Sequence, residues 1–336
     1  MSRIAVSTGA EGPAALTHEI ASSDTPALRL HLRERRPPPG VAVRPTPLLL
    51  VHGATIASAL WDAALPGWSW MDRLAEDGHR VFALDLRGYG GSTRPACFAG
   101  PAEDARAYAR AAEVLTDVSD AVDFVLAETG ARQTDLLGGS WGSVVCGMFM
   151  ADHARARVRR LILYAPLYAQ TETRPDWLPP AAHPLDTDDL ERQFGAYRWV
   201  SLDDLRRRWD AEIPPQETPS WRPDGMLETM VSDYIDPSEP GQRFQVPNGT
   251  LVDLSCVFSG KPVFECTRIT APTLLVRGDA DPISTHADAC RLLAGLGSVS
   301  KRYEIIPNGA HFMVAERALP KLHSVVTAFL QSNGPN

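Results

Sequence analysis

The stretch from residue 134 to residue 142 reads Thr-Asp-Leu-Leu-Gly-Gly-Ser-Trp-Gly, and a helical pattern follows it. Its last five residues match G-x-S-x-G, the pattern of a serine on a tight turn between a strand and a helix. Glycines two before and two after Ser140 let neighbouring backbone approach without a Cβ clash. The following helix, at about 143–152, directs its N-terminal dipole at this turn and favours negative charge there. The stretch therefore predicts a nucleophilic serine at the end of a buried strand.

Strand and helix patterns alternate along the chain on both sides of this turn. A weak antiparallel pair over residues 16–34 opens the series, and a helical pattern over 109–129 places valines three or four positions apart. Strands that alternate with helices imply an α/β fold with a mostly parallel sheet covered on both faces. The predicted buried strands are the apolar runs at 46–53, 80–85, 133–138 and 160–165. Two further strands are predicted at 271–278 and 301–306.

A long segment interrupts this alternation after the predicted strand at 160–165, which is the sixth when the antiparallel pair is counted as two strands. Residues 167–266 hold 12 of the 28 prolines and 11 of the 25 aromatic residues, and clear strand patterns are missing from them. Helix-like segments occur instead, at about 186–197 and 201–209. The segment is too long for a plain loop, and ligands bind at the carboxyl edge of open α/β sheets. We therefore expect a catalytic domain, residues 1–166 and 267–336, and a helical cap over its carboxyl edge, residues 167–266.

Two loops that follow the last two predicted strands supply partners for Ser140. A serine is nucleophilic at neutral pH only beside a base, and the base needs a carboxylate to orient it. Where the serine lies on such a turn, the chain order is serine, acid, histidine. His311 is the expected base, and Asp281 is the expected acid. Its neighbour Asp279 directly follows a strand glycine and is better suited to hold the loop through backbone hydrogen bonds.

Two backbone N–H groups are expected to stabilise the negative oxygen that forms when Ser140 attacks a carbonyl. One belongs to Trp141, the residue after the serine. The other is expected from the loop after the first long strand, which reads Val51-His-Gly-Ala-Thr55, and we assign it to Ala54. His52 is better suited to brace that loop by hydrogen bonding than to take part in the chemistry.

Four ordered motifs resemble the α/β-hydrolase superfamily over about residues 25–166 and 267–332. The motifs are His52-Gly53, Gly138-Gly-Ser-Trp-Gly142, Gly278-Asp-Ala-Asp281 and Gly309-Ala-His311, and the turn Asp85-Leu-Arg-Gly-Tyr-Gly-Gly-Ser92 accompanies them. The resemblance implies an α/β-hydrolase fold, but it says much less about the substrate, because this fold hosts many reactions.

The nucleophile and the oxyanion loop narrow the activity that the resemblance implies. The tight turn that carries Ser140, the nucleophile elbow Gly138–Ser143, is similar to that of proline iminopeptidases. In those peptidases the oxyanion loop, which is the loop after the first long strand, usually reads His-Gly-Gly-Pro-Gly. This chain instead has His52-Gly-Ala-Thr-Ile56, which departs from that pattern. Haloalkane dehalogenases and epoxide hydrolases carry a carboxylate at the nucleophile, so Ser140 argues against both. Esterases and carbon–carbon bond hydrolases have serine there and stay open.

The expected function is hydrolysis of carboxylic esters, including lactones or thioesters, through an acyl-enzyme on Ser140. The expected partner is a small-molecule substrate, with no cofactor. An aminopeptidase similar to the proline iminopeptidases is the alternative, and a carbon–carbon bond hydrolase or a non-catalytic binding protein fits less well. Residues 167–266 carry 18 Asp and Glu against 9 Lys and Arg. This excess is either a solvated surface or a set of acids that bind a substrate amine.

Composition argues against several other classes of protein. The chain has 336 residues, of which 44% are apolar, and its net charge of −8 argues against a nucleic-acid binder. No apolar run approaches the ~18 residues of a membrane helix, and no secretory signal is visible. Five scattered cysteines without a CxxC pair argue against a disulfide framework or a metal site. They suit a reduced, cytoplasmic protein, whose oligomeric state the sequence does not predict.

Overall fold

A nine-stranded sheet forms the centre of the structure, a computed structural model that describes residues 4–6, 13–152, 156–180, 186–214, 217–235, 239 and 241–332. The strands in these residues are β1 (Ile4–Val6), β2 (Ala14–Ala21), β3 (Arg29–Arg36), β4 (Leu48–Val51), β5 (Val81–Asp85), β6 (Thr134–Gly139), β7 (Val158–Tyr164), β8 (Tyr197–Ser201), β9 (Arg243–Pro247), β10 (Thr273–Gly278) and β11 (Lys301–Ile306). The order across the large sheet is β1-β2-β3-β5-β4-β6-β7-β10-β11.

Six neighbouring strands of this sheet, from β5 to β11 in that order, run parallel, and β1, β2 and β3 add an antiparallel edge. Every residue of β4, β5, β6 and β10 is buried. Such uniform burial is typical of parallel strands that helices cover on both sides. The predicted α/β fold with a mostly parallel sheet is therefore confirmed.

Helices flank the sheet and also build the inserted segment. The helices in the described residues are α1 (Trp70–Glu76), α2 (Ala111–Thr129), α3 (Trp141–Asp152), α4 (Thr187–Phe194), α5 (Leu202–Glu212), α6 (Thr218–Trp221), α7 (Met226–Val231), α8 (Gly249–Val257), α9 (His286–Gly295) and α10 (Leu319–Gln331). α2 buries valines at 114, 118, 122 and 125, which is the spacing of one helix face. None of these helices is long and apolar enough to cross a membrane.

The predicted strand count needs a correction at the N-terminal edge. β1 pairs antiparallel with β2, so the long insertion follows the seventh strand in chain order and not the sixth. β1 has only three residues. An alternation that short gives no periodic signal, and its formation depends on the neighbouring strand β2.

The inserted segment is not purely helical, contrary to the prediction. β8 and β9 pair antiparallel in a separate two-stranded sheet, with Tyr197 opposite Pro247 and Ser201 opposite Arg243. α5 begins directly after β8, and the hydroxyl of Ser201 accepts the N–H of Asp204 while the Asp204 carboxylate accepts the N–H of Ser201. This reciprocal cap fixes the start of α5.

Candidate active site

Ser140 lies on a strained turn between β6 and α3. Its φ angle of +54° is in the left-handed region, which side-chain-bearing residues rarely adopt. The N–H of Ser140 donates to the carbonyl of Tyr164 (2.8 Å). A Cβ atom at Gly138 would lie 2.2 Å from the carbonyl oxygen of Gly142, and one at Gly142 would lie 2.4 Å from that of His52. Both flanking positions of the turn therefore require glycine.

Ser140, His311 and Asp281 form one chain of hydrogen bonds. Nε2 of His311 is 2.9 Å from Oγ of Ser140, and Nδ1 is 2.9 Å from Oδ2 of Asp281. Oδ1 of Asp281 accepts the N–H groups of Ile283 (2.8 Å) and Ser284 (2.9 Å). These two bonds fix the carboxylate so that its other oxygen faces the imidazole. The structure thus brings the three predicted side chains into one hydrogen-bonded line.

The surroundings of His311 favour a charged imidazole next to Asp281. Burial opposes that charge, but the Asp281 carboxylate and its hydrogen bond outweigh burial and raise the pKa of His311 above its ordinary value. Both residues are buried, with 6% of His311 and 3% of Asp281 exposed. An imidazole held in this way is suited to take a proton from a hydroxyl and to carry the resulting charge.

Asp279, the rejected candidate for the acid, contacts the backbone of the histidine loop. Its Oδ1 accepts the N–H of Gly309 (3.3 Å). Arg277 fixes the acid loop from within, because its guanidinium donates to the carbonyls of Asp281 (2.7 Å) and Ser284 (2.5 Å). Asp279 and Arg277 therefore hold the two loops that present the acid and the histidine.

The loop after β4 lies directly against Ser140. A Cβ atom at Gly53 would be 3.0 Å from Cβ of Ser140, and Ala54 lines the same cavity as the serine. Among the described residues, no hydrogen bond takes up the N–H groups of Ala54 or Trp141. Both groups are therefore available to an oxygen of a bound substrate, as the prediction of an oxyanion hole requires.

His52 braces this loop through both ring nitrogens. Nε2 lies 3.1 Å from the backbone nitrogen of Leu86, and Nδ1 lies 2.8 Å from the carbonyl oxygen of Gly53. Because the Leu86 N–H donates, Nε2 accepts and the ring proton is on Nδ1, which donates to Gly53. Burial lowers the pKa of His52 and keeps the ring neutral. The bond to Gly53 polarises the peptide whose N–H belongs to Ala54.

Arg198 and Tyr89 hold the carbonyl of Ala54, and the sequence analysis did not anticipate either residue in this role. Nη2 of Arg198, on β8, donates to that carbonyl (3.2 Å) and lies 3.4 Å from Oγ1 of Thr55. The hydroxyl of Tyr89 donates to the same carbonyl (3.1 Å). Tyr89 belongs to a turn that the sequence does mark, residues 85–92, whereas no sequence signal marks Arg198.

Two carboxylates, the half-buried Glu212 and the buried Glu316, connect the inserted segment to the loop that carries His311. Glu212, the last residue of α5, accepts the backbone N–H of His311 (2.9 Å). Glu316 accepts the indole N–H groups of Trp209 (2.7 Å) and Trp221 (2.9 Å), and also the backbone N–H of the residue before His311 (2.7 Å). Burial raises the pKa of each carboxyl to about 7. The insertion thus contacts the histidine loop through groups that titrate near neutral pH.

Two adjoining cavities meet at this site. The inner cavity has about 40 Å³, enough for only a few water molecules, and Ser140 and His311 line it. The outer cavity has about 560 Å³ and lies toward the inserted segment. Trp177, Arg208 and Ile283 line both cavities. Within the described part of the chain, no three His, Cys, Asp or Glu side chains are grouped so that they could hold a metal ion.

Comparison with known proteins identifies the family. Residues 46–318 match the model of the alpha/beta hydrolase fold, which is most of the chain. The chain belongs to the alpha/beta hydrolase fold family. This hydrolase is 26% identical over 288 residues to the AB hydrolase superfamily protein YisY of Bacillus subtilis (strain 168), covering 85% of this chain and 92% of the relative.

Other similar proteins carry more specific names. A haloalkane dehalogenase of Mycolicibacterium paratuberculosis (strain ATCC BAA-968 / K-10) is 25% identical, with 94% of this chain and 91% of the relative covered. A solved structure described as Est816, an N-acyl homoserine lactone degrading enzyme, has a TM-score of 0.60 at 16% identity, with 93% of this chain and all of the other covered. The structural match at this identity supports the fold alone.

Proposed function

We propose that this protein is a serine hydrolase that cleaves carboxylic esters, including lactones or thioesters, through an acyl-enzyme on Ser140. The observation that carries the proposal is the hydrogen-bonded line from Ser140 through His311 to Asp281, with spacings of 2.9 Å. Two unused backbone N–H groups, those of Ala54 and Trp141, support it because they supply an oxyanion hole. Residues 167–266 act as the cap over a catalytic domain of residues 1–166 and 267–336.

The proposed reaction proceeds in two steps. Oγ of Ser140 attacks the ester carbonyl carbon while Nε2 of His311 takes the hydroxyl proton, and Asp281 stabilises the charged imidazole. The N–H groups of Ala54 and Trp141 bind the oxyanion, each contributing about 3 kcal/mol. The ester C–O bond then breaks, and His311 gives its proton to the leaving alkoxide. In the second step His311 takes a proton from water, the hydroxide attacks the acyl carbon, and the proton returns to Ser140 as the acid leaves.

An aminopeptidase similar to the proline iminopeptidases is the second candidate, and the Gly-Gly-Ser-Trp-Gly elbow favours it. Such an enzyme needs a free acid in the site to bind the substrate amine. The carboxyl group of Glu212, on the insertion, already accepts the N–H of His311. The charged side chain that lines the inner cavity is instead Arg208. Ester hydrolysis therefore fits the surroundings of Ser140 better.

Haloalkane dehalogenation is not proposed, although one relative bears that name. The haloalkane dehalogenases, which this fold resembles, have a carboxylate as the nucleophile, and that carboxylate forms an ester with the substrate carbon. Ser140 stands at that position here and would form an ether, which water does not readily cleave.

The five cysteines are all free, which supports the further proposal of a cytoplasmic location.

The test compares wild type with Ser140→Ala on p-nitrophenyl esters of rising acyl length and on prolyl and alanyl arylamides. We expect ester cleavage that is lost in the variant, and labelling of Ser140 by a fluorophosphonate. Asp281→Ala is expected to abolish turnover, whereas Asp279→Ala, its matched control, keeps most of it. Arylamide cleavage that needs a free amine would replace this proposal with the aminopeptidase. Absence of both labelling and turnover would favour a binding protein.

A further inference from the structure

Arg208 carries a charge into the site without a carboxylate partner. It lies on α5 and lines both the inner and the outer cavity. Among the described residues, no hydrogen bond or ion pair engages its guanidinium, and Nε is buried without a partner. Its neighbours Arg206 and Arg207 on the same helix both pair with acids. Arg208 therefore differs from them in forming no ion pair within the described part of the chain, although it lines both cavities where a substrate would bind.

The contacts of Arg208 hold its side chain in place but do not neutralise it. Its guanidinium carbon lies 4.4 Å from the centre of the Trp177 ring. Burial and the charge of Arg198 lower the pKa of Arg208 to about 10, so the group stays protonated at neutral pH. Glu212 and Asp204, each one turn away on α5, are the acids whose charges reach Arg208. Glu212 accepts the backbone N–H of His311, and Asp204 pairs with Arg207 and caps α5, so neither forms a hydrogen bond or an ion pair with Arg208. Arg208 is half-buried, and the buried part of a cation that has no hydrogen-bond partner costs free energy that a bound anion would recover.

The two cavities indicate where such an anion would lie. The inner cavity of about 40 Å³ is too small for an ester of more than a few heavy atoms. A longer substrate at Ser140 must therefore extend past Trp177 and Arg208, which line both cavities, into the outer one of about 560 Å³. The charged side chains around the outer cavity are Arg174, Arg207, Arg208, Asp176 and Glu212.

We infer that the substrate of this hydrolase carries a carboxylate, which the guanidinium of Arg208 binds while the ester lies against Ser140. The inference rests on the proposed function and names its substrate class. A carboxylate matches the planar fork of an arginine, which can donate two parallel hydrogen bonds to it. The substrate is therefore an ester with an acid group several atoms from the scissile bond, in contrast to the free amine that the acidic composition of the insertion allowed.

The test compares matched ester pairs that differ only in a carboxylate. One pair is p-nitrophenyl monoadipate and p-nitrophenyl hexanoate, which place the acid on the acyl side. The other pair is 3-carboxyphenyl butanoate and phenyl butanoate, which place it on the alcohol side. The measured quantity is the ratio of kcat/KM, acidic over neutral ester, with each ester corrected for its reactivity toward hydroxide. Wild type is expected to prefer the acidic member of one pair.

Variants of α5 assign that preference to a residue. Arg208→Met is expected to lower the ratio about 10- to 100-fold, the effect of losing a charged hydrogen-bonded pair. Arg208→Lys keeps the charge without the fork and is expected to restore the ratio in part. Arg206→Met is the matched control, because it removes the same charge from a side chain that is 41% exposed and lines neither cavity. It is expected to leave the ratio and the basal rate unchanged.

The outcomes separate this inference from the proposed function. If both members of each pair are cleaved at equal corrected rates and Ser140 is required, the inference that the substrate carries a carboxylate is overturned. The proposed serine hydrolase activity is then still supported. An equal fall for acidic and neutral esters in Arg208→Met would also overturn the inference. A second readout is the rate at which alkyl and ω-carboxyalkyl fluorophosphonates label Ser140. Faster labelling by the acidic reagent that depends on Arg208 supports the inference, and no labelling by either reagent overturns the proposed function itself.

Discussion

Replacing Arg198 with methionine tests how the inserted segment supports the oxyanion loop. The guanidinium donates five hydrogen bonds, to Ala54, Thr55, Pro247 and two further side chains, at 3.0–3.4 Å. It therefore ties β8 and β9 to the residue whose N–H is the proposed oxyanion donor. Methionine fills a similar volume but donates nothing, so the loop loses this attachment.

The structure sets the size of the expected effects. Three of the five bonds are 3.2 Å or shorter, and at about 1 kcal/mol each they contribute about 3 kcal/mol to stability. Burial lowers the pKa of Arg198 and opposes its charge, so part of this loss is recovered and we expect a net loss of about 1–2 kcal/mol. Loss of a whole oxyanion donor costs about 2.7–4 kcal/mol. Because Tyr89 still holds the Ala54 carbonyl, we expect about half of that, about a 10- to 30-fold fall in kcat/KM.

The assay measures kcat/KM on p-nitrophenyl acetate together with thermal unfolding. Arg198→Lys is expected to give an intermediate rate, because an ammonium can keep one of the bonds. Arg243→Met is the control, since Arg243 lies on the partner strand β9 but pairs with Glu239 and stacks on Trp199 away from the loop. A lowered unfolding temperature with kcat/KM within twofold of wild type would refute the reasoning, because the loop would then hold Ala54 without Arg198.

Three further predictions concern the same site. Asp281→Asn is expected to lower kcat about 10⁴-fold. Two backbone N–H groups hold Oδ1, so the amide NH₂ of the asparagine faces Nδ1 of His311 and forces the wrong tautomer. An unchanged kcat would contradict this. Glu212→Gln keeps an acceptor for the backbone N–H of His311 but removes a charge that raises the pKa of His311. The acid limb of the profile of kcat/KM against pH should therefore move to lower pH, and a move to higher pH would contradict the reasoning. Gly138→Ala is expected to destabilise by ~3 kcal/mol or more or to prevent folding, whereas Gly100→Ala, whose added Cβ meets nothing within 4 Å, should unfold within about 0.5 kcal/mol of wild type by urea titration.

Parallel strands were predictable from the sequence because their signals are local. The predicted strand at 301–306 coincides with β11, and β6 and β10 end in glycines, where the apolar pattern stops. β8 was not predictable in this way. Its residues Tyr197–Ser201 overlap a helix-like pattern, and they form a strand because they pair with β9, more than forty residues later. One local signal was available: Gly195, with φ +64°, ends α4 before the predicted helix end.

The three proposed catalytic side chains were predictable for a related reason. Ser140, Asp281 and His311 each follow a strand, and the carboxyl ends of parallel strands lie at one edge, so the topology alone brings them together. Arg198 and Glu212 lie in the inserted segment, and their contacts with the site depend on how that segment folds back over the edge. Neither residue type nor spacing encodes that placement, so the sequence could not assign them.

The charge of the insertion shows why net charge alone is a poor guide to the substrate. Its excess of acids left open a pocket for an amine, but Asp204 caps α5 and Asp253 accepts the indole N–H of Trp141. Such acids support local structure and do not face a ligand. The periodicity of α5 carries better information, because Arg208 lies one position before Trp209 and three after Leu205, both buried. A helix therefore presents Arg208 beside its apolar face. What the periodicity lacks is the direction of that face, and the fold supplies it by packing α5 against the loop of the proposed base.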